Sequence, residues 1–197
     1  MSAKGVQGAL FAFCSIVVAT TAALGAERAE DRPPRGAYMA SQCKDARACP
    51  LFDDVYATTP PFRHALSLSL RHGRLQVPDW VKAKLEHNRN GPADDVAGSL
   101  MDTASPMLPL RIDGRSYLLG RMMDPANAQH RIVALYDTTR GSITVRYFDE
   151  KGKTALFGDT TEILVKVITD YVNPDSPFSR SANRTDVSLP IPVSSKQ

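Results

Sequence analysis

The residues of this chain that could do chemistry are few and scattered. A hydrolase needs a nucleophile beside a base, or two carboxylates facing each other across a cleft. The acids Asp94-Asp95 and Asp149-Glu150 are adjacent only in sequence, in stretches that read as a loop and a turn, where solvated acids are the ordinary expectation. The histidines His64, His72, His87 and His130 lack metal-ligand spacing. No G-x-S-x-G, H-E-x-x-H or phosphate-cradling glycine loop occurs. Arg71, His72 and Arg74 with Lys82 and Lys84 form the nearest thing to a basic stripe. Such a cluster is more often the solvated face of a helix and its exit, and the formal net charge is only +3, which argues against nucleic acid as a partner. These patterns assign no catalytic residue, metal or cofactor. What remains is contact chemistry, in the polar stretch Met123, Asp124, Pro125, Ala126, Asn127, Ala128 and Gln129 between apolar runs at 117–123 and 131–136. Pro125 lacks an amide hydrogen and fixes its own φ, so the chain must leave a sheet ladder there. A loop at the tip of two buried strands is a natural contact surface, since a rigid scaffold holds a variable tip.

Those strands must be positioned by a domain, and 197 residues with 43% apolar content suit one globular domain with tails. Lys4 precedes an apolar run over 9–19 that continues to Gly25, with small residues at Ala23, Gly25 and Ala26. Residues 1–26 therefore read as a secretory signal peptide, which places the protein in the periplasm or outside the cell. An uncleaved segment anchored in the inner membrane is the rival reading, because the run is nearly long enough to span a bilayer. Phe13 stands before Cys14 where a lipobox requires a small side chain, so lipidation is not expected. After cleavage Cys43 and Cys49 remain as an even pair in an oxidising compartment, and a small structural disulfide is expected between them.

Residues 27–51 are interrupted by Pro33, Pro34 and Pro50 and read as a linker carrying this ring. Residues 52–172 form the expected domain. A helix is expected over 62–72, with Phe62, Ala65, Leu66, Leu68 and Leu70 on its inner side and Gly73 ending it. Pro78 and Asp79 open a short second helix through residue 85, and Trp80 between Val77 and Val81 reads as a core plug. Residues 87–105 read as a loop. Strands are expected at 107–112, 117–123, 131–136, 142–148 and 153–157, joined as an antiparallel meander with an Asp113-Gly114 turn. Residues 159–162 can cap a last helix facing inward through Ile163, Val167 and Ile168 or Tyr171, although its β-branched run could equally be a strand. Residues 173–197, rich in Ser, Pro, Asn and Arg, read as a disordered tail. The fold class is thus α+β, a central antiparallel sheet with flanking helices.

The order of these features resembles the Ivy family, the inhibitors of vertebrate-type lysozyme from the bacterial periplasm. The residues that carry the resemblance are Asp53-Asp54, the stretch 62–70, Val77-Pro78-Asp79-Trp80-Val81, Ile112-Asp113-Gly114, Tyr117-Leu118-Leu119-Gly120-Arg121-Met122, Asp124-Pro125 and Arg131-Ile132-Val133-Ala134-Leu135-Tyr136. Together they span about 110 to 120 residues, an ordinary domain length. The resemblance implies the α+β fold and a domain often paired as a homodimer. It also implies a mechanism, in which a loop Cys-Lys-Pro-His-Asp-Cys, closed by a disulfide, pushes its histidine into the lysozyme cleft and offers donors to the paired catalytic carboxylates.

This chain departs from that loop. Met123-Asp124-Pro125-Ala126-Asn127-Ala128 keeps only the proline. Met123 and Ala128 cannot form a disulfide, Ala126 cannot reach a carboxylate, and Asp124 would face the enzyme's acids with like charge. Asn127, Gln129 or His130 would have to donate instead. The functional expectation is a binding protein that inhibits or regulates a lysozyme-like muramidase or a lytic transglycosylase through residues 123–129, and acts weakly on hen-type lysozyme. The alternative is a non-catalytic protein of an envelope assembly that kept the scaffold and lost inhibition.

Overall fold

Alternating apolar residues along the middle of the chain produce the sheet around which the rest is built. The structure, a computed structural model, describes residues 35–83, 103–184 and 186–194. The expected signal peptide and most of the expected loop at 87–105 lie outside the described residues. Five strands run as the expected meander: β1 (Leu108–Ile112), β2 (Arg115–Asp124), β3 (Asn127–Asp137), β4 (Ile143–Phe148) and β5 (Thr154–Gly158). Asp113 and Gly114 both take positive φ, 45° and 83°, and make the tight β1–β2 turn. Such turns favour Asp-Gly because their twist matches that of the flanking strands.

A sixth strand, β6 (Ile191–Val193), completes the order β5-β4-β3-β2-β1-β6. It pairs parallel to β1, Leu110 opposite Ile191 and Ile112 opposite Val193, so the sheet is mixed rather than wholly antiparallel. This corrects the expectation of a structureless tail. Val187, Leu189, Ile191 and Val193 alternate as a strand does, and the intervening Pro190 and Pro192 fall where an edge strand tolerates a missing donor. A short helix precedes it, capped by Ser176, whose Oγ accepts the Ser179 amide at 2.9 Å.

Helices cover both faces of the sheet. On the first face lie α1 (Arg35–Ser41), α2 (Phe52–Thr58) and α3 (Pro60–His72). They pack Phe52, Phe62, Leu66 and Leu70 against Leu118, Met122, Ile132 and Tyr136. Leu68 was expected on the buried side of α3 but is 39% exposed, and Ser69 is buried instead. Residues 79–83 are helical, as Pro78-Asp79 foretold, and Trp80 is half-buried against this cluster. On the second face lie α4 (Glu162–Val172) and α5 (Pro177–Ala182). Leu164, Val167, Ile168 and Tyr171 of α4 are buried at spacings of one helical face, which settles the helix against the strand reading and puts Leu164 where Ile163 was expected.

The described part of the expected linker is also ordered. Ala37 and Ala40 of α1 are buried, and the Ala37 amide donates to Thr59 Oγ1 at 3.0 Å. A side chain at Gly36 would collide with Thr58, so glycine is what lets α1 lie close on α2. A 3-10 turn (Ala46–Ala48) then closes the ring, and Cys43 and Cys49 are joined by the expected disulfide.

Candidate functional site

The seven residues singled out by sequence fall together at one end of the sheet, at the β2–β3 connection. Only Pro125 and Ala126 lie between the strands, so the connection is a two-residue turn. Asp in the first position and Pro in the second suit such a turn. Asp124 Oδ1 accepts the Ala126 amide at 2.9 Å, and Asn127 Oδ1 accepts the Gln129 amide at 3.0 Å. Both are local side-chain caps that substitute for ladder bonds.

Register shows why the tip is not straight. Met123 pairs with Arg131, yet the next residue, Asp124, pairs with Asn127, so Ala128, Gln129 and His130 have no counterparts on β2. This bulge of three extra residues bends the tip sideways. Asn127 Nδ2 donates to the carbonyl of Glu150 at 3.0 Å and ties the tip to the β4–β5 turn. That turn is itself fixed by Asp149, whose Oδ1 accepts the amides of Lys151 at 2.9 Å and Lys153 at 2.8 Å. The adjacent acids Asp149-Glu150 are therefore turn-formers. Two neighbouring hairpin tips make one surface, with Pro125, Ala126, Ala128 and Gln129 exposed beside Glu150 and Lys151, and Met123, Asp124 and Asn127 half-buried.

Beneath the tip lies a polar chain that sequence reasoning did not assemble. His130 is 7% exposed. Its Nδ1 lies 3.2 Å from Asp124 Oδ2 and its Nε2 lies 2.8 Å from the Tyr147 hydroxyl. An ionised carboxylate only accepts, so Nδ1 carries the proton, and in the neutral ring Nε2 accepts from Tyr147. Trp80 and Tyr147 meet the imidazole edge-on, with centroids 5.3 and 5.6 Å away. Burial pushes the Tyr147 phenol up from its ordinary value, and Asp149 and Glu150 add to the effect. An Asp-His-Tyr chain has the composition of an acid-base relay. Both ring nitrogens are engaged and the ring is enclosed, so the chain ties the turn to the core.

This geometry corrects two expectations. Asp124 was expected to face a partner's acids, but its side chain is 18% exposed and turns inward to His130. His130 was expected to be available as a donor, but it is enclosed on the apolar face, and Asn127 already donates to Glu150. Of the three residues named as replacement donors, Gln129 is the exposed one. The signal for His130 was in the sequence: it stands two residues before Ile132, on the face that Ile132, Ala134 and Tyr136 bury.

On the other flank of the tip, a hollow of about 420 Å³ is lined by Ala128, Gln129, Arg131, Phe148, Lys151 and Gly152. The Arg131 guanidinium lies 4.3 Å from the centroid of the Phe148 ring. Among the described residues no group of three or more His, Cys, Asp or Glu is placed to hold a metal ion. Nor is any described helix long and apolar enough to cross a membrane. Set against known proteins, the chain matches no family model and no curated protein.

Proposed function

We propose that this is an exported binding protein that docks its paired hairpin tips onto a protein partner. The partner suggested by the Ivy resemblance is a peptidoglycan-cleaving enzyme, a lysozyme-like muramidase or a lytic transglycosylase, which binding would inhibit or regulate. One observation carries the reading: the tip exposes Pro125, Ala126, Ala128 and Gln129 while its backbone is held by Asp124, Asn127 and the enclosed His130. A surface ordered before contact loses little entropy on docking, which favours affinity. The family's loop is held by a disulfide. In this chain side-chain hydrogen bonds and the His130 anchor serve the same end.

A second reading is favoured by the shape of the tip. A two-residue turn laid against its neighbour offers a broad shoulder rather than a finger, which suits a flat contact within an envelope assembly better than plugging a groove.

The purified protein, tested against a panel of lysozymes and lytic transglycosylases, is expected to slow at least one of them and to act weakly on hen-type lysozyme. Failure to bind or inhibit any member would overturn the first reading. Recovery of a non-hydrolytic envelope complex that survives substitutions at Pro125 and Ala126 would overturn the first reading in favour of the second, with its contact away from the tip.

A further inference from the structure

The second face of the sheet carries three cations around one buried residue. Val133 is 1% exposed; Arg121 and Arg146 are its direct neighbours on β2 and β4, and Arg131 precedes it by two positions on the same face. Arg146 donates to Thr169 Oγ1 at 2.8 Å, and it shares the Phe148 ring with Arg131 at 5.7 and 4.3 Å. None of the three makes an ion pair among the described residues, and the buried Nε of Arg131 has no hydrogen-bond partner. No acid is among the groups that act on Arg131, while Asp149 and Glu150 act on Tyr147, which lies on the opposite face. Burial pulls the Arg131 guanidinium below the ordinary arginine value, and the charges of Arg121 and Arg146 add to the effect.

Like charges gathered at a half-buried site raise the free energy of the folded state unless an anion joins them. A place for one exists. The hollow beside Arg131 is lined by Lys151 as well, and the centroid of the Phe148 ring lies 4.3 Å from the guanidinium carbon. A planar guanidinium offers two parallel N–H groups to a carboxylate or phosphate, and a lysine adds a point charge.

We propose that this hollow is an oxyanion-binding site, in which Arg131 and Lys151 contact the carboxylate or phosphate group of a small solute while Arg121 and Arg146 supply the surrounding positive field. The site flanks the hairpin tips but does not depend on a protein partner. Its ligand class follows from charge and shape alone.

Titration calorimetry of the purified protein tests this, with pyrophosphate and succinate as separate probes and ionic strength held constant with sodium chloride. At least one probe should bind, and the stronger distinguishes a phosphate-bearing from a carboxylate-bearing ligand. Arg131→Gln and Lys151→Gln should each weaken that binding at least tenfold. Arg111→Gln, at an exposed position of β1 where the arginine donates to the Gly114 carbonyl, should leave it unchanged. Arg121→Gln serves as the second variant: it should weaken probe binding while leaving the probe-free melting temperature equal or higher, because it removes a repulsion. No heat beyond that of chloride with either probe, or binding unaltered in Arg131→Gln and Lys151→Gln, would overturn the proposal. So would an Arg121→Gln variant that melts lower and still binds as the parent does.

Discussion

The carboxylate of Asp124 meets the imidazole of His130 at 3.2 Å across the β2–β3 turn, joining the exposed hairpin tip to the enclosed face of the sheet. The chain continues from His130 to Tyr147, so the position of the turn is set by groups on three strand segments.

His130→Ala would strand the Asp124 carboxylate and the Tyr147 hydroxyl in a half-buried setting. The expected loss of stability is about 1 to 3 kcal/mol, read by denaturant unfolding. Amide exchange over residues 124–130 should quicken more than exchange over β3 beyond Ile132. Asp124→Asn, which keeps the shape and an acceptor, should cost less than His130→Ala. Equal protection of the tip in parent and His130→Ala would show that the His130 hydrogen bonds do not hold it.

The Cys43–Cys49 link closes a ring with a sequence separation of only 6 residues. By the chain-entropy estimate such a ring is worth about 2 kcal/mol. The double variant Cys43→Ser, Cys49→Ser should lose about that much in chemical unfolding while its far-ultraviolet circular dichroism stays that of the parent. A collapse of the sheet signal would mean that the ring is needed for the sheet itself.

The meander was legible in the sequence because each strand carries its own period and the turns their own chemistry, Asp113-Gly114 above all. The helix α4 was legible only as an alternative, since Ile163 to Thr169 suits either state until the spacing of Leu164, Val167, Ile168 and Tyr171 is weighed against a flat partner. Strand β6 was hidden by Pro190 and Pro192, which read as breakers although edge strands accept them. At the site, the turn residues were found from Pro125 and its flanks. The inward rotation of Asp124 was not, because it depends on a bulge that brings His130 under the turn, and Tyr147 comes from a strand seventeen positions away. The arginine cluster was missed for the same reason. Arg121, Arg131 and Arg146 meet only through strand register, and no linear charge run announces them.

Strand β6 offers a test of that hidden period. Ile191→Asp would place a carboxylate against Leu110 in the second cluster, at a cost of about 3 kcal/mol. Pro192→Thr, exposed on the same strand, should shift stability by no more than about 0.5 kcal/mol. A chain indifferent to Ile191→Asp would contradict the docking of this segment on β1.

Burial raises the phenols of Tyr56, Tyr136, Tyr147 and Tyr171 above their ordinary value of 10.0. The folded state then keeps protons that the unfolded chain releases, so this contribution to stability is complete below pH 10 and is lost as pH rises through the folded values. Melting temperature should fall with increasing pH above 10, and tyrosinate absorbance should develop later in native than in denatured protein. Coincident titration curves would contradict the burial assigned to these rings.

The proposed docking of the hairpin tips onto a partner is open to direct test. The direct measurement is binding of the purified protein to whichever muramidase or transglycosylase the panel shows it to slow, compared between Ala126→Arg at the exposed turn and Arg111→Glu on β1. The account predicts that Ala126→Arg weakens binding at least tenfold with the fold intact, while Arg111→Glu leaves it as in the parent. Unchanged binding by Ala126→Arg, with loss in Arg111→Glu, would place the contact elsewhere on the sheet and contradict it.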